Sequence, residues 1–112
     1  MSEDEKLNPV EETAFPFLQH AVQLDQARAA WAVLDKALGK NAEMWLKLTD
    51  DALAAHGKLP LETIEFIHKT SAFVAKVAAA VRTEMDDNLL DTLIKLNLNM
   101  SEMILARDAQ AA

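Results

Sequence analysis

The stretch Leu34–Asp51, LDKALGKNAEMWLKLTDD, decides the fold. Within it Asn41 and Trp45 lie four residues apart, one helical turn, and so share a face. Steps of seven through Trp45 land on Phe17, Leu24, Trp31, Leu38, Trp45 and Ala52. A companion row holds His20, Ala27, Leu34, Asn41, Leu48 and Ala55. A seven-residue repeat held this long predicts one helix laying an apolar seam against partner helices. The expected element is a single long helix from Thr13 to His56, with Gly39 as a weak point costing about 1 kcal/mol relative to Ala. The alternative is two helices with Gly39 as the C′ residue of the first. In either case the seam buries two tryptophans.

Upstream, residues 1–12 are acidic and broken by Asn8-Pro9, which predicts a solvated arm. Thr13 is the expected cap of the first helix, and Pro16 is tolerable only in its opening turn. Leu18, Val22 and Val33 fall on the side of the wheel opposite the seam, a patch that hints at a partner surface.

Downstream, Gly57 is expected to end the helix in the left-handed C′ conformation, and Leu59-Pro60 cannot continue it. The short loop turns the chain back antiparallel into a second helix, Pro60 to Thr83, with Pro60 at its N1 position. Its seam is Ile64, Ile67, Ser71, Val74, Ala78 and Val81, widened by an adjoining row of Phe66, Phe73 and Ala80. Ala72, Ala75 and Ala79 leave a smooth strip on the other side. The segment Met85-Asp86-Asp87-Asn88 supplies N-cap candidates for a third helix, Asn88 to Arg107. Its apolar arc covers well over half the circumference, so that helix is either central or binds something. Residues 108–112 are expected to fray. The fold class is therefore all-α: a small antiparallel bundle of one long helix and two shorter ones, forming a single domain over residues 13–107.

Composition limits the function. A chain of 112 residues holds one core. It has no cysteine, which excludes disulfides, thiolate metal sites and a cysteine nucleophile and fits a reducing cytoplasm. Net charge is −7, and the basic residues are scattered singly, which argues against direct binding to nucleic acid or to an anionic membrane. No apolar run approaches the length of about 20 residues that a membrane span needs. Glu65-x-x-His68 has the ligand spacing of di-iron bundles, but no other helix repeats it. Asp50-Asp51 and Asp86-Asp87 are simpler as caps and solvated charges than as acid–base pairs. No catalytic, metal or cofactor site is expected. Asn41 and Asn97 stand out because each interrupts an apolar face, where an unsatisfied amide costs about 1–3 kcal/mol. Either they hydrogen-bond a backbone end or each other and fix helix register, or they contact a ligand directly.

Taken in order, Ala37-Leu38, Asn41-x-x-Met44-Trp45, Leu48, Asp51, Leu59-Pro60, Ile67, Ser71, Phe73-Val74, Val81 and Leu93-Ile94-x-Leu96-Asn97 resemble the FlaF family of alphaproteobacterial flagellar biosynthesis regulators. The resemblance runs from Ala37 to Ile104. Ala42 and Glu43 stand where the family usually has arginines, and Phe73 where it often has Trp. The resemblance implies a non-enzymatic cytoplasmic protein that binds flagellin and promotes its synthesis or export. It also implies a functional link to a second small regulator, FlbT, which acts on flagellin messenger RNA. Flagellin's terminal segments are amphipathic helices, which suit a hydrophobic groove. Leu18 with Val22, and Leu98 with Leu105, form two short apolar ridges that are the expected partner site. A homodimer burying them is the competing expectation. An amphipathic, phasin-like surface-coating protein or a general helical adaptor is the alternative function.

Overall fold

The structure is a computed structural model that describes residues 9–55 and 57–111, without the side chains of 107–111. Its helices are α1 (Pro9–Ala27), α2 (Trp31–Ala54), α3 (Leu61–Thr83) and α4 (Asp87–Ala111). The bundle class stands, but among the described residues four helices replace the expected three.

The long helix from Thr13 to His56 does not form, and Gly39 is not the break: it lies inside α2. The chain turns at Arg28–Ala30. Ala30 is extended (φ −133°, ψ 102°), and its carbonyl accepts from the N–H groups of Val33 and Leu34. Nothing local demands this, because Gln-Ala-Arg-Ala-Ala-Trp has full helix propensity. The cause is long-range. Phe17 and Trp45 would stand about 42 Å apart along one straight helix, whereas here their rings meet edge to face at 5.2 Å. The bend folds the heptad seam onto itself, and both halves then face one core. Arg28 holds the bend with ion pairs to Asp25 (3.1 Å), Asp87 (3.1 Å) and Asp91 (2.6 Å). Hydrogen bonds first to Asp91 and then to Asp25 raise its pKa further above the ordinary value, so it stays charged. Trp31, expected in the seam, falls at the bend and is 48% exposed.

Other boundaries shift for local reasons. Pro9–Glu12, expected in the arm, form the first turn of α1; residues 1–8 lie outside the described residues. Thr13 is therefore not a cap, and its hydroxyl donates back to the Pro9 carbonyl at 2.9 Å. Pro60 is the residue before α3 rather than its first, with its carbonyl accepting from Thr63 and Ile64. Asp86 caps α4: its carboxylate accepts from the N–H groups of Asn88 and Leu89. The tail expected to fray continues as helix to Ala111. Gly57 adopts φ +94°, as the turn requires.

Helix α1 packs most closely on α4, and α2 on α3. Arg28, just past α1, reaches the first turns of α4, and Asp35 near the start of α2 pairs with Arg82 near the end of α3 at 2.7 Å. Both pairs are therefore antiparallel. The extents are 43 × 37 × 20 Å. The short dimension is that of two helix layers, and the long ones both exceed the width of about 20 Å of two adjacent helices, so the pairs cross. The core between them includes Leu24, Leu34, Leu38, Trp45, Val74, Val81, Leu90 and Leu93. Burying each leucine contributes about 1.5–3 kcal/mol. Phe66 and Phe73, expected to widen the buried arc of α3, are instead 42% and 44% exposed.

Candidate functional site

At the crossing of the two layers lies a buried polar knot. Asn41 Nδ2 donates to Asn97 Oδ1 at 2.9 Å, and Asn97 Nδ2 donates to Asn41 Oδ1 at 3.1 Å. Trp45 Nε1 donates to the same Asn97 Oδ1 at 3.1 Å, and Asn97 Nδ2 also donates to the Leu93 carbonyl at 2.8 Å. An indole N–H only donates and a carbonyl only accepts, so these two partners fix the orientation of the Asn97 amide; Asn41 follows. All three residues are 0% exposed. The backbones of α2 and α4 stay apart, so side chains join the two layers here. Among the described residues no buried side-chain nitrogen or oxygen lacks a partner. The knot therefore fixes register, the first of the two roles expected of Asn41 and Asn97.

The outer edge of Trp45 closes the floor of a cleft of about 430 Å³ between α3 and α4. Phe66, Leu96, Met100 and Met103 form its apolar walls, and Thr70, Thr92, Lys95 and Asn99 its mouth. A second cleft of about 210 Å³ continues it toward Ile67 and Ile104, sharing Phe66, Met100 and Met103. The trough is open because α3 and α4 belong to different layers and pack less closely than α1 on α4 or α2 on α3. Thioether side chains adapt to different apolar shapes, so this trough can take the apolar face of a partner helix.

The ridges expected to bind a partner are placed differently. Leu18 (42% exposed) and Leu105 (44%) line one shallow cleft of about 150 Å³ with Phe15, between α1 and α4. Val22 is exposed on α1 but does not line it, and Leu98 is half-buried. Of the remaining motif residues, Leu59 and Pro60 form the exposed turn before α3, and Phe73 is exposed beside buried Val74. Glu65 and His68 are both exposed. Sequence reasoning did not single out Phe66, Met100 and Met103 as site residues: it placed Phe66 in the buried arc of α3, and it left the α4 arc that holds Met100 and Met103 as either central or partner-binding. The available signal was an apolar arc too wide for three neighbours to cover.

Among the described residues no helix is long and apolar enough to cross a membrane, and no group of three or more His, Cys, Asp or Glu could hold a metal. No curated protein and no solved structure matches the chain. A family model described as flagellar protein FlaF matches residues 4–103, reaching much further toward the N-terminus than the motif residues that begin at Ala37. With nearly the whole chain covered, including every residue of the knot and the trough's walls up to Met103, the protein belongs to the FlaF family of flagellar proteins.

Proposed function

We propose that this protein is a non-enzymatic, cytoplasmic helper of flagellin production that binds flagellin through an amphipathic helical segment and promotes its synthesis or export. Family membership supplies the flagellar context. The observation that carries the binding role is the α3/α4 trough, with adaptable Met100, Met103 and Phe66 walls over a floor fixed by the Trp45–Asn97 hydrogen bond. A rigid floor under flexible walls suits a groove that receives an amphipathic helix. The cleft at Leu18 and Leu105 is smaller and is the secondary candidate. FlbT is a second candidate partner through the functional link of the family.

The phasin-like alternative requires a chain that folds fully only on its surface. The hydrogen-bonded knot supports the helper instead, because a buried network of this kind favours one packed state in solution. The test is calorimetric titration of the purified chain with monomeric flagellin. Saturable one-to-one binding is the expected result. No heat and no complex at a flagellin concentration of about 100 μM, equivalent to less than about 5.5 kcal/mol of affinity, overturns the flagellin assignment.

A further inference from the structure

Among the described residues three breaks separate the four helices, and two of them are written into the local sequence. Between α2 and α3 Gly57 turns at φ +94° and Pro60 stands before α3. Before α4 Asp86 caps the first turn. The break between α1 and α2 carries no such signal. Residues 28–30 are Arg-Ala-Ala, all good helix formers. Ala30 makes no side-chain cap, α2 has no acidic residue in its first turn, and α1 has no basic residue in its last. The bend leaves end groups of both helices without intrahelical partners, and nothing local offsets that loss.

The heptad row runs through the bend without a slip. Phe17 and Leu24 are buried on α1, and Leu38, Trp45 and Ala52 on α2, all at steps of seven through residue 31. Trp31, inside that row, is 48% exposed because the chain turns there. The contacts of α1, by contrast, do not depend on the bend. Its buried face of Ala14, Phe17, Ala21, Leu24 and Ala27 packs most closely on α4, and Arg28 meets Asp87 and Asp91 at the start of α4. The α4 of a second copy offers the same face and the same two carboxylates.

We infer that α1 is an exchangeable arm whose alternative seat is α4 of a second copy of this chain. In the exchanged pair residues 28–30 become helical, and α1 runs on into α2 as one helix of about 70 Å. Two-fold symmetry seats each arm on the other copy's α4, a closed exchange that keeps the contacts α1 makes in the monomer. The exchange adds backbone hydrogen bonds across the former break and puts Trp31 on the same face as Leu24 and Leu38. An arm on a short linker competes at an effective concentration of about 1 mM or more, so the bent monomer prevails in dilute solution and the exchanged dimer at high concentration. The surface it buries is the established contact of α1 on α4 and not a new face. Each lobe of the dimer retains α3 and α4, and the inference stands without the proposed function.

The test is refolding of the full chain from urea at about 10 μM and at about 1 mM, followed by gel filtration with light scattering. The expected species are a 12.4 kDa monomer from the dilute sample and a dimer of twice that mass from the concentrated one. The chain has no cysteine, so Gln19→Cys with Glu43→Cys, both exposed, carries a single pair of spin labels. In the monomer both labels flank the contact of Phe17 with Trp45. With labelled chain diluted into unlabelled chain, the dimer should instead give an intrachain distance of about 36 Å, the rise of one straight helix from residue 19 to residue 43. Trp31→Pro blocks the continuous helix yet suits the bent one, because residue 31 is the first of α2 and Ala30 before it is extended. That variant should lower the dimer yield about tenfold or more. A monomer from both samples overturns the proposal, and so does a dimer that keeps the monomer's label distance. An unchanged dimer yield from a folded Trp31→Pro variant also overturns it; if that variant unfolds, the label distance alone decides.

Discussion

Helix α4 is flanked by α1, its antiparallel partner, and by α3 of the other layer, and meets them differently. Toward α1 the contact closes, because Ala14, Ala21 and Ala27 alternate with Phe17 and Leu24 on the buried face of α1, and small side chains let the backbones approach. Toward α3 the contact stays open, and Phe66, Met100 and Met103 line the trough between the two helices. One apolar arc on α4 thus does two things: the part facing α1 becomes core, and the part facing the N-terminal half of α3 lines a surface trough. The apolar residues at a helix seam do not by themselves determine whether it is core or binding site; how closely the two helices approach does. The knot of Asn41, Trp45 and Asn97 lies behind both seams and keeps them in register.

The contrast breaks most severely at Trp45. Trp45→Ala removes the trough's floor, the edge contact to Phe17 and the donor to Asn97 together. The expected loss is about 3–5 kcal/mol, a large share of a small domain's stability, read as a lower midpoint in urea unfolding. A near-native midpoint would make Trp45 dispensable to the core.

Asn97→Ala comes next. It leaves the Asn41 amide and the Trp45 N–H without their partner, at an expected cost of about 1–3 kcal/mol for each group. Asn41→Leu with Asn97→Leu should cost less than the sum of the single changes, because neither amide is then orphaned. Additive losses in that double-mutant cycle would show that the two amides act independently.

These two residues were legible in the sequence, and the reason is physical: an amide on an apolar stripe is costly unless matched, so each implied a partner. The α3 seam of Ile64, Ile67, Val74 and Val81 and the positive φ of Gly57 were legible for similarly local reasons. The bend at Arg28–Ala30 was not. It contains neither Gly nor Pro, and what stabilises it, Asp87 and Asp91, lies about sixty positions away. Gly39 was a misleading signal. It sits inside α2, where a Cβ would meet the nearest atom, Arg82 Nη1, at an ordinary 3.9 Å. The trough was half legible: the wide apolar arc was visible, but whether Phe66 and Met103 end inside or outside depends on helix spacing, which no single segment encodes.

A smaller effect checks the reassigned glycine. Gly39→Ala should stabilise the protein by about 0.5–1 kcal/mol, measured as a raised unfolding midpoint; destabilisation would indicate that α2 and α3 need the space a Cβ would fill. The mildest effect concerns His20, half-buried on α1. Burial first, and the charge of Lys40 second, lower its pKa from the ordinary 6.5. The folded state then favours neutral imidazole, so this contribution is complete above pH 6.5 and is lost as pH falls from there through the lower folded value. His20→Gln should flatten that part of the stability–pH curve, and an unchanged slope would remove His20 as its source.

The central claim, that the open seam and not the closed one receives the partner, is tested most directly by one paired binding measurement. Flagellin affinity is compared for Phe66→Ser with Met103→Ser, which alters the α3/α4 trough, and for Leu18→Ser with Leu105→Ser, which alters the outer edge of the α1/α4 seam. All four side chains are exposed, so both variants should keep their helical signal. The account predicts that the first variant binds flagellin about tenfold more weakly or worse, about 1.4 kcal/mol or more, while the second binds close to wild type. The reverse order, with the trough variant binding normally and the Leu18/Leu105 variant failing, would contradict it.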